Sequence, residues 1–272
     1  MQHRKIAFIG AGNMSRSIIS GMVKSGYPAT LVTASNPSRP KLEALHTDFG
    51  IQITQDNHQA VNQSEVVVLA VKPQLMEEVC QDLQQAELSG RLFVSIAAGI
   101  QSARLQQMLG GDYPVVRTMP NTPSALGKGM TGLYADSQVK EDDRRFAAAL
   151  LEQVGEVAWV EKESMIDGVI AAAGSSPAYF FLFLEAMQEE AMRLGFDRQT
   201  SRLLVQQAML GAAEMVCHNP NLELAELRAQ VTSKGGTTYA AVNHFEQNGL
   251  RELVSGAMQA AVQRAAQMSN EF

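Results

Sequence analysis

A glycine-rich segment near the amino terminus is the first part of the chain whose residue types could do chemistry. It reads Gly10-Ala11-Gly12-Asn13-Met14-Ser15 and lies between a short apolar run and a helix-like stretch. In that context Gly10 permits a tight turn, and Gly12 lets the backbone approach a pyrophosphate at a helix amino terminus. Ser15 replaces the third glycine of the fingerprint but is still small. The pattern predicts dinucleotide binding, the alternative being a tight loop in an unrelated fold.

Residues at the end of the next strand should select between NAD and NADP. The corresponding segment, 33–41, contains no carboxylate. An acidic residue there would accept a hydrogen bond from the ribose 2′-hydroxyl of NAD. Ser35 and Asn36 instead offer hydrogen bonds, and Arg39 or Lys41 can meet a 2′-phosphate. We therefore expect NADPH to be preferred, with NADH possible. The alternative is a polar turn that caps the following helix.

Three further segments follow apolar runs that we predict to be strands. They are Ala70-Val71-Lys72-Pro73, Ser95-Ile96-Ala97-Ala98-Gly99 and Met119-Pro120-Asn121-Thr122-Pro123. Ligands of open parallel sheets lie beyond the carboxyl ends of the strands, which makes all three segments candidates. Each also has a purely structural explanation, since prolines start helices or fix loops and glycine serves turns.

Two loops of the carboxyl-terminal half also contain small and hydroxyl residues. In Gly174-Ser175-Ser176-Pro177, a helix cap at Ser176 followed by Pro177 explains the pattern adequately. The segment 232–238 is a better candidate for ligand binding, because adjacent Gly235 and Gly236 precede hydroxyl residues and a helix-like stretch. Such a segment can bind a small carboxylate through its backbone N–H groups. A flexible turn capped by Thr237 is an equal alternative.

Composition limits the possible partners of these segments. With 22 Lys and Arg against 28 Asp and Glu, the net charge of −6 argues against a nucleic-acid partner or an anionic membrane surface. Cys80 and Cys217 are far apart, which favours a reducing, cytoplasmic location. No uninterrupted apolar run approaches the roughly 18 residues that span a bilayer, so we expect no membrane segment. The five histidines show no metal-binding spacing, and we expect no metal.

The elements that must position these segments change in character near residue 160. Before it, five short β-branched or aromatic runs alternate with helix-like stretches, at 5–9, 31–34, 66–71, 92–96 and 115–119. Continuous apolar strands separated by helices predict an α/β fold with a parallel sheet covered on both faces. After it the strand pattern vanishes, and helix formers dominate between punctuating residues such as Gly174 and Gly249.

Two helical stretches are unusually apolar. The run 178–184 has no polar face, and such a helix must be buried on every side. A stripe of mostly small side chains from Leu250 to Met268 suits the close approach of another helix. Periodicity cannot separate an ordinary core from an intersubunit core. Obligate dimerisation is our hypothesis.

Six motifs in this order identify a family resemblance. They are GAGNM, AVKP, SIAAG, MPNTP, GSSPAY and SKGGTT, and through them the chain resembles pyrroline-5-carboxylate reductase over essentially its whole length. The resemblance implies NAD(P)H-dependent reduction of the cyclic imine 1-pyrroline-5-carboxylate to L-proline, the last step of proline biosynthesis. It implies a Rossmann-type doubly wound parallel sheet at 1–162. An all-helical substrate-binding and dimerisation domain is implied at 163–272, in a homodimer that can assemble into a decamer.

The resemblance also implies site residues. Cofactor contacts would come from Gly10, Gly12, Asn13, Met14, Asn36, Asn57, Ala70, Val71, Lys72, Pro73, Ala98 and Asn121, to which we add Ser35 and Arg39 from the reasoning above. The substrate would lie against Ser233, Gly235, Gly236, Thr237 and Thr238, with the Thr238 hydroxyl on the ring nitrogen as the catalytic group. Ser15, Ala173 and Lys234 depart from the usual family residues, and none removes a group that the chemistry needs.

The implied reaction needs little acid–base machinery, because a protonated imine is already an electrophile. Two other functions remain open at the level of sequence. One is a reductase of the 3-hydroxyacid dehydrogenase type, which uses a lysine on the helix that enters its second domain; the stretch 165–173 contains none. The other is a catalytically silent NADPH-binding protein.

Overall fold

A computed structural model describes residues 3–271, apart from the side chain of Asn270. Within that part of the chain there are eight strands and twelve α-helices. The strands are β1 (Ile6–Ile9), β2 (Val32–Ser35), β3 (Gln52–Thr54), β4 (Val66–Leu69), β5 (Leu92–Ser95), β6 (Val115–Met119), β7 (Gly129–Ala135) and β8 (Gly155–Trp159). The helices are α1 (Asn13–Lys24), α2 (Arg39–Phe49), α3 (Asn57–Asn62), α4 (Pro73–Leu83), α5 (Ser102–Leu109), α6 (Glu141–Leu151), α7 (Met165–Val169), α8 (Ser176–Arg193), α9 (Arg198–His218), α10 (Leu224–Gln230), α11 (Thr237–Gln247) and α12 (Leu250–Glu271).

The strands form one sheet in the order β3-β2-β1-β4-β5-β6-β7-β8. Every neighbouring pair is parallel except β6 and β7, which are antiparallel. The order reverses at β1, which pairs with β2 on one side and β4 on the other, so this is the switch point at which such sheets bind ligands. The predicted α/β class with a doubly wound parallel sheet is confirmed, with β7 as the strand that departs from the parallel arrangement.

Alternating side chains of the strands build a core on each face of the sheet. Ile6 and Phe8 of β1 pack into one apolar cluster, and Ala7 and Ile9 pack into the other. All four are at most 1% exposed. Burial on both faces is why β1 and β4 read as continuous apolar runs in the sequence.

Three strands were missing from the sequence prediction. β3 has only three residues, none of them fully buried, and β8 is half-exposed. β7 contains two glycines, which lower strand propensity. The glycine at 132 is explained by packing, because a Cβ there would lie 2.7 Å from the methyl carbons of Val169 on α7.

Beyond residue 163 the described chain is helical, but one predicted helix boundary is wrong. Gly174 does not interrupt the helix, because a π-helical turn at Ile170–Gly174 joins α7 to α8. Ser176 is therefore the first residue of α8 rather than a cap in a loop. Its hydroxyl donates a hydrogen bond to the Ala173 carbonyl at 3.3 Å.

The chain divides into two compact units. One contains the chain up to Pro177 together with the segment from Ala260 onward, and the other is Ala178–Gln259. These are units of packing within a single chain, and the functional division predicted between residues 162 and 163 stays a prediction.

The apolar surface of α8 is exposed in the single chain. The expectation that this helix is buried on every side is therefore wrong for one chain taken alone. Phe181 is 66% exposed and Leu182 is 68% exposed. The helical run Met165–Arg193 is also long and apolar enough, by length and composition alone, to cross a membrane. The expectation of no membrane segment rested on uninterrupted apolar runs, whereas this run contains a few polar residues, and that expectation is not confirmed.

Candidate active site

The turn after β1 requires glycine at position 10. Gly10 has a φ of +112°, and a Cβ there would lie 2.6 Å from the Ala70 carbonyl oxygen at the end of β4. The Gly10 N–H donates to the Ser35 carbonyl at 2.8 Å, and the Ala70 N–H donates to the Ile9 carbonyl at 2.9 Å. The carboxyl ends of β1, β2 and β4 are thus joined directly around Gly10.

Gly12 leaves the amino terminus of α1 open. It is the residue before α1, and apart from Gly12 and its two chain neighbours no described atom lies within 4 Å of the position that a Cβ would occupy. In the described chain no side chain caps this helix, so its first backbone N–H groups are free for an anion. Asn13 is exposed in the first turn, while Met14 packs partly against the core. This cradle fits a dinucleotide pyrophosphate.

Ser15 has a role that the sequence did not reveal. Its side chain is 1% exposed, and its hydroxyl donates to the Gly10 carbonyl at 2.8 Å. The helix therefore holds the carbonyl of the turn that precedes it. A serine in the third fingerprint position thus donates a hydrogen bond to a buried carbonyl, and glycine has no side chain that could do so.

Three predicted cofactor residues form a polar cluster beside this turn. The Asn36 carboxamide oxygen accepts from the Ala11 N–H at 3.2 Å, so this side chain supports the glycine-rich loop. The fully buried Ser35 hydroxyl donates to the Asn57 side chain at 2.6 Å. The structure thus brings Ser35, Asn36 and Asn57 together, and it places Ser35 beneath the surface, where it supports Asn57.

Arg39 lies at the start of α2, in solvent. Its side chain is 74% exposed and pairs with Glu43 one turn later at 2.8 Å. An exposed pair of this kind is weak, so the guanidinium is available for a stronger anion. Among the described residues between β2 and α2 there is no carboxylate that would select a free ribose hydroxyl.

The segment 70–73 leads from β4 into α4. Pro73 is the first residue of α4, as its structural explanation predicted, and exposed Lys72 precedes it. No side chain of the described residues caps this helix either. Ala70 and Val71 are partly buried beside the Gly10 turn. These residues therefore border the opening at the amino terminus of α1.

The next two loops at this edge follow β5 and β6. Ala98 is partly buried, and Gly99 has a φ of +79° with a position for Cβ only 2.9 Å from the Cβ of Met268 on α12. Asn121 is 8% exposed; its carboxamide accepts from the Met130 N–H at 2.9 Å and donates to the Ala173 carbonyl at 3.0 Å. The Asn121 side chain therefore joins β6, β7 and the helical run, and its contact with a nicotinamide stays a prediction.

The predicted substrate loop, 233–238, belongs to the second compact unit. Gly235 has a φ of +77°, and a Cβ at Gly236 would lie 2.7 Å from the Ser233 hydroxyl. The Gly236 N–H closes the turn by donating to the Ser233 carbonyl at 3.0 Å. The backbone conformation at Gly235 thus favours glycine, and a side chain at Gly236 would require the Ser233 hydroxyl to move.

The start of α11 favours anion binding over the capped turn. Gly236 is the cap residue, and Thr237 is the first helical residue rather than a cap. Among the described residues no side chain satisfies the first N–H groups of this helix. Thr238 is exposed in the first turn. The loop therefore presents free N–H donors and a hydroxyl to a small carboxylate-bearing ligand.

The described residues contain no group of three or more His, Cys, Asp or Glu that could hold a metal ion. Cys80 and Cys217 are both free. Burial raises the pKa of the Cys80 thiol to about 12, so it is not a nucleophile at neutral pH. The two candidate segments offer backbone N–H donors at α1 and α11 and a hydroxyl group at Thr238 to a ligand.

Comparison with known proteins identifies the family. Residues 163–268 match the family described as pyrroline-5-carboxylate reductase dimerisation. The pyrroline-5-carboxylate reductase of Vibrio alginolyticus is 57% identical over 272 residues and covers 100% of both chains. This chain belongs to the pyrroline-5-carboxylate reductase family. The resemblance seen in the six motifs is confirmed.

The amino-terminal part and the fold agree with this family. Residues 5–99 match the family described as NADP oxidoreductase coenzyme F420-dependent. A pyrroline-5-carboxylate reductase structure from Coxiella burnetii is 40% identical, with a TM-score of 0.93 over 98% of this chain and 99% of that one. The Plasmodium falciparum pyrroline carboxylate reductase, solved with NADP bound, is 26% identical with a TM-score of 0.87 over 99% of each chain.

Proposed function

We propose that this chain reduces 1-pyrroline-5-carboxylate to L-proline with NADPH, and with NADH as a poorer donor. When bound, the reduced nicotinamide supplies the hydride that converts the C=N bond of the protonated imine to a C–N single bond. The observation that carries the proposal is the occurrence, in one chain of this family, of two uncapped helix amino termini built on glycine, at Gly12 and at Gly236. One suits a pyrophosphate and the other a small carboxylate.

The proposed cofactor site follows the carboxyl edge of the sheet. The open N–H groups of α1 would bind the pyrophosphate, and Arg39 would bind a ribose 2′-phosphate. The loop after β5 would lie beside the nicotinamide. The proposed contacts are Gly10, Gly12, Asn13, Met14, Ser35, Asn36, Arg39, Asn57, Ala70, Val71, Lys72, Pro73, Ala98 and Asn121, of which Ser35 acts through Asn57.

The proposed substrate site is the loop 233–238. The N–H groups of Gly235, Gly236 and Thr237 would hold the carboxylate, with Ser233 shaping the turn. The Thr238 hydroxyl would accept a hydrogen bond from the protonated ring nitrogen. These contacts fix which face of the ring carbon meets the hydride, so positioning supplies most of the rate acceleration. Lys234 is exposed and adds positive charge next to the same loop.

We further propose that 163–272 acts as the dimerisation and substrate-binding domain and 1–162 as the cofactor domain, in a cytoplasmic homodimer that assembles into a decamer. The exposed Phe181 and Leu182 of α8 support binding of a partner chain, because large exposed apolar patches mark interaction surfaces. A membrane span is the competing explanation for the same surface. The net charge of −6 supports the absence of a nucleic-acid partner.

A single spectrophotometric assay tests the function. Purified protein is mixed with NADPH and 1-pyrroline-5-carboxylate, and loss of nicotinamide absorbance is followed alongside formation of proline. We expect one proline per NADPH oxidised and a higher kcat/KM with NADPH than with NADH. Tight NADPH binding without turnover would instead identify a silent NADPH-binding protein. Oxidation of hydroxyacids by NADP⁺, in a parallel assay, without any turnover of the imine would identify the other reductase type.

A further inference from the structure

A buried arginine lies in the middle of β6. The Arg117 side chain is 2% exposed, and its strand neighbours Val116 and Thr118 are also buried. Moving a guanidinium out of water is costly unless charged or polar partners compensate for the lost hydration. Arg117 is not among the residues proposed above to contact cofactor or substrate. Its presence in this core therefore needs another explanation.

The partners of Arg117 are two carboxylates at the start of the helical run. Its Nη1 donates to the Glu163 carboxylate at 3.3 Å, and its Nη2 lies 3.8 Å from an Asp167 oxygen. Within the described chain, neither Nη2 nor that Asp167 oxygen has a hydrogen-bond partner. Burial raises the pKa of Asp167, and Glu163 raises it further, against the opposing effect of Arg117. Glu163 is thus the better bonded of the two carboxylates.

Glu163 also holds the start of α5. The carboxylate oxygen that accepts from Arg117 accepts from the Ser102 N–H at 2.7 Å and from the Ser102 hydroxyl at 3.0 Å. Ser102 is the first residue of α5, where backbone N–H groups have no partner within the helix and a negative charge is favourable. A residue 61 positions away in the chain therefore serves as the cap of this helix.

The same strand holds the other end of the loop that leads to α5. Thr118, next to Arg117, donates its hydroxyl hydrogen to the Ser95 carbonyl at 2.9 Å. Ser95 is the last residue of β5 and pairs with Arg117 in the sheet. The loop 96–101, which carries Ala98, is thus fixed at its start by Thr118 and at its end by Glu163. Arg117 is the cation paired with the Glu163 carboxylate that makes the second contact.

We infer that Arg117 is a positioning residue: through Glu163 and Ser102 it fixes the loop 96–101 at the place where the nicotinamide binds. This rests on the proposed function. Without Arg117, the Glu163 and Asp167 carboxylates face each other uncompensated, and the acceptor at the start of α5 is displaced or protonated. The pyrophosphate contacts at α1 are untouched. The loss should therefore affect the chemical step more than cofactor affinity.

The test compares Arg117→Met with Arg145→Met as a matched control, because Arg145 is a 69% exposed arginine on α6. For folded Arg117→Met we expect kcat to fall at least about tenfold, while the KM for NADPH changes less than about threefold. With NADPH deuterated at C4 of the nicotinamide, we expect a larger isotope effect on kcat than in the wild type, because a misplaced ring slows hydride transfer. A merely structural role would lower the folded fraction without changing the isotope effect.

Glu163→Ala provides a second variant, in which no residue of the buried strand β6 is replaced. For Glu163→Ala we expect the same fall in kcat and the same rise in the isotope effect as for Arg117→Met. Arg117→Lys should keep more activity than Arg117→Met, because lysine retains the positive charge. Wild-type kcat and isotope effect in folded Arg117→Met would overturn the inference. If Arg117→Met does not fold, a wild-type kcat and a wild-type isotope effect in Glu163→Ala overturn the inference. Absence of turnover in the wild type would overturn the proposed function itself.

Discussion

At the scale of single residues, Thr238 is the side chain on which the proposed chemistry depends most. Thr238→Ala should lower kcat/KM for the imine about tenfold to a hundredfold, the value of one hydrogen bond to a charged group. Thr238→Ser keeps the hydroxyl and should retain most of the activity. Steady-state kinetics at saturating NADPH measure the difference. Full activity in Thr238→Ala would remove this residue from the mechanism.

Arg39 offers a second test at this scale. Replacing it with alanine should raise the KM for NADPH several-fold and leave the KM for NADH unchanged, because only NADPH carries the 2′-phosphate. Glu43→Ala is the matched control, since it removes the present partner of Arg39 and keeps the guanidinium. We expect Glu43→Ala to keep or improve the KM for NADPH. Equal effects of Arg39→Ala on both cofactors would contradict the assignment.

The sequence predicted some of these residues better than others. Gly10 and Gly235 could be found because a positive φ restricts residue type directly. Gly236 has a close neighbour in Ser233, whereas Gly12 has a negative φ and open space at its Cβ position, so only its place in the fingerprint predicted it. The bonds of Ser15 and the burial of Ser35 could not be found, since both depend on which strand ends meet. Arg117 gave no signal at all, because an arginine within a strand is usually expected at an exposed position.

At the scale of elements, the contact between the loop after β5 and the end of α12 is open to measurement. Gly99→Ala should lower the free energy of unfolding by more than the roughly 1–2 kcal/mol that a left-handed backbone costs a non-glycine residue. The added reason is Met268, whose Cβ lies 2.9 Å from the new methyl group.

Gly90→Ala separates the two effects in this experiment. Gly90 has a φ of +72°, close to that of Gly99, and apart from Gly90 and its two chain neighbours no described atom lies within 4 Å of its Cβ position. It should show the backbone cost alone. Urea unfolding of both variants gives the comparison. Equal destabilisation would mean that α12 does not restrict this loop.

Prediction of the elements succeeded where both faces of a strand are buried. The five strands found from sequence are those with short β-branched or aromatic runs, and all five are in the sheet. β7 and β8 follow β6 in the sheet, and β7 runs antiparallel to β6. Both strands contain glycine or exposed residues, so their hydrophobic patterns in the sequence are weak. The π-helical turn at Ile170–Gly174 has no sequence signature that propensities would show.

At the scale of the whole molecule, the exposed face of α8 predicts the assembly state. Wild-type protein should sediment as a dimer or a larger assembly at micromolar concentration. Leu182→Glu, at a side chain 68% exposed in the single chain, should give monomers with little activity. The physical reason is that a carboxylate cannot be buried in an apolar interface without a partner.

Leu126→Glu is the control for this prediction, because Leu126 is 82% exposed and lies in the turn Thr122–Leu126, away from α8 in the chain. We expect its assembly and activity to match the wild type. A stable and active wild-type monomer would contradict the dimer proposal. Association of the wild type with lipid vesicles, abolished by Leu182→Glu, would favour the membrane explanation instead.

The exposed Phe181 and Leu182 have a practical consequence for enzymology on this chain. If subunits separate when the solution is dilute, mass action makes the active fraction depend on total protein. Specific activity should then decline as the enzyme is diluted to nanomolar stocks and return on concentration. Rates of variants are comparable only when all are assayed at one subunit concentration.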